Sequence, residues 1–162
     1  MLSAQQYGFE WIKPGQDYYK FSVGRTATYR ISPDVLLNAG INLNVVNPNR
    51  FQLFYKGQEV PVYISGAGDN KFDNADFIEF AGFKNSGDID SVLYANPSWQ
   101  PNTFNGLFTD TSVYFLTIIP DADPAPLRYI QSNDYNFGGL QPEIYFLDAA
   151  SLAPTEEYLD GP

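Results

Sequence analysis

Gly68–Asp76 (GDNKFDNAD) is the most specific local feature of the chain. Asp69, Asp73 and Asp76, with the amide oxygens of Asn70 and Asn74, put five hard oxygen donors into eight residues. Calcium takes six to eight such oxygens at flexible geometry, so Asp69, Asn70, Asp73 and Asp76 are the candidate calcium ligands. The segment is not an EF-hand loop, because the glycine at the sixth position and the closing glutamate are missing. The alternative is a run of Asx turns that feeds a strand at Phe77 and leaves its carboxylates in water. Asn85–Asp90 (NSGDID) is a second acidic knot: it reads as a solvated turn capping a helical piece at Asp90, the alternative being a second cation site or a donor to the first.

Other chemistry is narrowed by what the chain lacks. It has 162 residues, no Cys and no His. Disulfides, thiolate metal sites, His-ligated zinc and every triad with a Cys nucleophile or a His base are excluded for this chain. Glycoside hydrolysis needs two acids facing each other across a cleft. Asp76, Glu79, Asp110 and Glu143 are available, but no spacing singles out a pair. Gly66-Ala67-Gly68 lacks the lysine and serine of a phosphate loop. The net charge is −10, and the nine cations are scattered. A nucleic-acid backbone or an anionic membrane surface would be repelled. Trp99, with Tyr94 and Phe104, lies in a polar loop and is the candidate contact set for a ligand or partner. The competing role for Trp99 is to fold down and anchor that loop.

The elements that must hold these residues are strands. Aromatics reach 17% of the chain in short runs with β-branched residues, separated by Gly, Pro, Asn and Asp clusters. That texture predicts an all-β, antiparallel, jelly-roll-like sandwich. Strands are expected at Phe9–Ile12, Tyr18–Val23, Ala27–Ile31, Phe51–Tyr55, Val60–Ile64, Phe77–Phe80 and Ser112–Ile119, with weaker ones at Leu127–Gln131 and Glu143–Leu147. Asp17–Ile31 reads as one hairpin, and Phe51–Ile64 as a second around the loop Lys56-Gly57-Gln58-Glu59. Pro61 cannot donate to a ladder, so its strand is at an edge or bulged. One short helix is expected over 33–39, capped by Ser32, started by Pro33 and closed by Gly40. Residues 83–106 form a long loop, with a helical turn near Asp90–Tyr94. The domain reading is 1–8 as a leader or expression remnant, 9–147 as the sandwich, and 148–162 as a linker toward a missing downstream domain. No apolar stretch is long enough to span a bilayer.

Several strings in order resemble a known family. They are Phe9-Glu10-Trp11-Ile12, Tyr18-Tyr19-Lys20, Thr28-Tyr29-Arg30-Ile31 and Leu36–Ile41, then Asn47–Phe54 with Gly57–Pro61, Asp73 with Asp76–Phe80, and Leu107–Thr111 with Tyr114–Thr117. Together they resemble the N-terminal β-domain that precedes the catalytic domain of gingipain-like cysteine peptidases, closest to the sortase-like members of the type IX secretion system. Related sequences have an Asp-Gly-Ile-type turn at Arg25-Thr26-Ala27, and a Tyr where this chain has Ala81. The resemblance implies a β-sandwich at the front of an exported, surface-located protein. Its partner in cis would be a caspase-like domain carrying the His and the Cys, with secretion-system or cell-surface proteins as further partners. Sortase members cleave sorting domains from cargo, and in gingipains the N-terminal segment also inhibits and assists folding. No catalytic residue of the family has a match here. The alternative reading is a free-standing cell-surface module that binds carbohydrate or protein.

Overall fold

The computed structural model describes residues 8–130, together with 138, 139, 141, 144 and 145. The chain divides into two compact units, Met1–Asn85 with Asp110–Ile130, and Ser86–Thr109 with Gln131–Pro162. All the strands among the described residues lie in the first unit. They are β1 (Tyr18–Val23), β2 (Ala27–Ile31), β3 (Phe51–Tyr55), β4 (Gln58–Val60), β5 (Tyr63–Ser65), β6 (Phe77–Gly82) and β7 (Ser112–Ile118). One sheet runs β1-β7-β3-β4 and the other β2-β6-β5, and every pairing is antiparallel. The all-β expectation holds. A jelly roll pairs eight strands in two Greek keys; the described residues supply seven, in sheets of four and three.

The alternation of side chains explains why these runs form two sheets over one core. Tyr19, Phe21 and Val23 of β1 face inward with Leu53, Tyr114 and Leu116, opposite Tyr29, Ile31, Ile78 and Phe80 of the other sheet. Phe80 meets Phe21 at 5.5 Å and Tyr114 at 5.3 Å between ring centroids, so the aromatics knit the two layers together. Tyr55 stacks on Tyr114 at 4.5 Å. Ring pairs at these separations contribute about 1 kcal/mol each beyond their buried area. Burial pushes the Tyr114 hydroxyl above its ordinary pKa, although that oxygen accepts a hydrogen bond from the Phe83 N–H.

Three local expectations are corrected. Asp17–Ile31 is not a hairpin: β1 pairs with β7 and β2 with β6, so Gly24-Arg25-Thr26 carries the chain from one sheet to the other. Tyr29 holds that crossover, its hydroxyl donating to the Arg25 carbonyl and accepting from the Arg25 N–H. Gly82 leaves room for the Tyr29 ring, which would stand 2.5 Å from a Cβ there. The run Val60–Ile64 is likewise two strands. Pro61, with no N–H to give, ends β4, and the chain resumes as β5 in the other sheet. Phe9–Ile12 is a turn closed by Ile12 N–H donating to the Phe9 carbonyl, and Trp11 there packs on Tyr18, Phe54 and Phe115.

The β3–β4 hairpin forms with a tighter turn than the expected Lys56–Glu59 loop: the chain turns through Lys56 and Gly57, with φ of 49° and 76°, and Gln58 already opens β4. Two successive positive φ values are what a tight two-residue hairpin requires. The helix α1 is Pro33–Asn38. Gly40 sits at φ 86°, and the N–H groups of Gly40 and Ile41 bond the carbonyls of Leu37 and Leu36 in a Schellman closure. Ser32 caps through its backbone carbonyl, without a side-chain hydrogen bond. Of the segment Leu127–Gln131, Gln131 lies outside the described residues, and Arg128 makes an isolated parallel bridge with Val62. Most of Glu143–Leu147 and all of 148–162 lie outside the described residues.

Candidate functional site

The acidic segment is built by turns before it reaches β6. Gly66 enters at φ 80°, Ala67–Asp69 makes one 3-10 turn, and Asn70 leaves at φ 60°. Asp69 Oδ1 accepts from Lys71 N–H at 3.0 Å, and Asp73 Oδ1 from Ala75 N–H at 3.1 Å. Asp76 Oδ2 accepts from Asp73 N–H at 2.9 Å. Asn70 Oδ1 accepts from Asn49 Nδ2 at 3.1 Å. Each of the four candidate ligands therefore holds a donor of the protein itself. Asp76 is 8% exposed and rests directly against Gly66, where an added Cβ would overlap its carboxylate. Among the described residues, no three of His, Cys, Asp and Glu converge as a metal-holding group.

The long loop Ser86–Thr109 is organised by side chains that bond backbone. Gly87–Leu93 and Pro97–Trp99 are 3-10 helices. Gln100 Nε2 donates to the carbonyls of Gly87 at 2.5 Å and Asn102 at 3.0 Å. Buried Asp90 accepts from Leu107 N–H at 2.8 Å. Asn96 and Asn102 cap Ser98 and Phe104 in the same way. Gly87 is needed because an added Cβ would stand 2.6 Å from the Asn105 carbonyl. Of the three candidate contact residues, Trp99 and Phe104 are each 66% exposed and Tyr94 is half-buried. Ile89, Val92, Leu93 and Phe108 are exposed in the same segment.

A third feature follows from the separation of β1 and β2 into two sheets. Because they belong to different sheets, β1 and β2 are neighbouring edges of the sandwich. An apolar crevice of about 240 Å³ lies there, lined by Tyr19, Tyr29, Ile31, Phe80 and Leu116 of the strands and by Leu36 of α1. The sequence signal that marks it is charge: Tyr18–Ile31 carries Lys20, Arg25 and Arg30 and no acid, in a chain of net charge −10. Arg30 bonds Glu79 at 2.8 Å and lies 3.7 Å over the Phe77 ring.

No known family model matches the chain, and no curated protein or solved structure matches it.

Proposed function

We propose that this chain is a non-catalytic accessory domain of an exported gingipain-like cysteine peptidase of the sortase-like kind. Its role is to pack on the catalytic domain and to order or restrain it. The observation that carries the reading is an exposed apolar surface on one short segment. The chain has no His or Cys, and the carboxylates of its acidic segment are engaged in turns. Val92, Trp99, Phe104 and Phe108 nonetheless stand in solvent on one short segment. Exposed apolar patches of this kind are what contact surfaces are made of. On this reading the protein works outside the cell or at its surface.

The test is to sequence the gene past the codon for Pro162 and to co-purify this chain with whatever the frame encodes. A continuation into a domain with a His and a Cys, which binds this chain and binds it more weakly after Phe108→Asp, is expected. A stop codon at once would overturn the reading.

The exposure of Trp99 and Phe104 also fits a second reading, a cell-surface module that binds carbohydrate or protein through Ser86–Thr109. It expects glycan binding that Trp99→Ala abolishes. No binding across a glycan array would remove the carbohydrate form of it.

A further inference from the structure

We propose that the edge strand β2 accepts an extended, acidic segment of a partner protein, which adds to the three-stranded sheet as its fourth strand. The inference stands on the sandwich alone and does not depend on the peptidase reading.

An edge strand turns half of its backbone N–H and C=O groups away from its only neighbour. β2 pairs with β6 alone, and Ala27, Thr28 and Arg30 are exposed along it. At the opposite margin an extended segment meets the chain where it passes between the sheets. There Leu127–Tyr129 lies beside Val62 in extended form. Val62 N–H donates to the Leu127 carbonyl at 3.4 Å, and Tyr129 N–H donates to the Val62 carbonyl at 3.2 Å. No described segment does this for β2. β2 ends the three-stranded sheet, which has one strand fewer than the sheet it packs on.

The incoming side chains are specified by what surrounds that place. Inward-facing ones enter the crevice between β1 and β2, whose lining is apolar, so every second residue of the segment is aliphatic. Outward-facing ones come alongside Arg30. Its guanidinium gives one carboxylate, Glu79, two of its five donors and has others to offer. Lys20 and Arg25 add charge, and neither is in an ion pair among the described residues. The segment is therefore acidic at its outward positions. The same charges argue against a second copy of this chain, because pairing β2 with β2 would bring two basic edges together.

The test uses the whole chain, labelled with ¹⁵N, and an N-acetylated, amidated nine-residue peptide that alternates valine with glutamate. Amide shifts concentrated on Tyr18–Ile31 are expected. Methylating alternate peptide nitrogens should abolish them, because a strand adds through its N–H groups. Arg30→Glu should weaken binding about tenfold or more without lowering the melting temperature by more than a few degrees. Absence of shifts at millimolar peptide would overturn the proposal. So would equal binding of the methylated peptide, or of decanoate at the same amides, either of which would make the crevice a small apolar-ligand site. Sedimentation as a dimer with those amides already protected would assign the edge to a second copy and also overturn it.

Discussion

The two margins of the sandwich are made alike and end differently. At one, β4 and β5 are three-residue strands joined through Pro61 and Val62, and Leu127–Tyr129 closes over them. That closure is held at several points. Glu59 Oε1 accepts from Leu127 N–H at 2.6 Å, and Arg128 donates to the Asn49 carbonyl at 2.8 Å. The Tyr129 hydroxyl accepts from Ala81 N–H at 3.1 Å. At the other margin, β1 and β2 are longer and joined through Gly24–Thr26; α1 lines the apolar space between them through Val35 and Leu36, and no described strand pairs with the outer edge of β2. The difference teaches that a sheet crossover alone does not finish a sandwich. The backbone and the apolar face of the edge have to be met by something extended, and on one side the chain itself supplies it.

Changes at the closed margin should cost stability, and the largest loss is expected at the end of β5. Gly66→Ala puts a Cβ at φ 80° and into the Asp76 carboxylate, and should cost about 3 kcal/mol or more in urea unfolding. Val62→Ala should follow at about 2 kcal/mol, since Val62 is fully buried beneath Leu127–Tyr129. Tyr129→Phe removes one acceptor and should cost about 1 kcal/mol, seen as faster exchange of the Ala81 amide.

The core shared by both margins gives a pH signature. The folded state holds the Tyr114 proton more tightly than the unfolded chain, because burial raises its pKa. Its contribution is fully present below about pH 10 and is lost as pH rises through the raised value. Melting temperature should therefore fall on the alkaline side, and Tyr114→Phe should flatten that limb. The smallest effect on stability belongs to the open margin. Thr28→Ala, on the exposed edge of β2, should change unfolding free energy by less than about 0.5 kcal/mol.

The strands were legible because their residues alternate at period two and pack as that pattern dictates. β7 follows from propensity, and the β3–β4 hairpin from its Gly-containing loop, although Gln58 and Glu59 join β4 and leave Lys56-Gly57 as the turn. Gly40 marked the end of α1 because a left-handed closure is cheapest at glycine. Which sheet each strand joins was not legible. Gly24-Arg25-Thr26 has the same local chemistry as a hairpin loop, and only the long-range pairing of β1 with β7 decides against it. The acidic segment was legible as a site of oxygen donors. Its neighbours' N–H groups, and Asn49 from a distant turn, were not visible as competitors for those oxygens. The crevice could have been found from the acid-free run Tyr18–Ile31, once its two strands were separated.

Hydrogen exchange measured at both margins of one sample, with and without the valine–glutamate peptide, tests the account most directly. The Val62 and Tyr129 amides should be protected in both conditions. The outward amides of β2 should exchange freely alone and become protected only with peptide. Rapid exchange at Val62 and Tyr129, or a β2 edge that does not respond to the peptide, would contradict it.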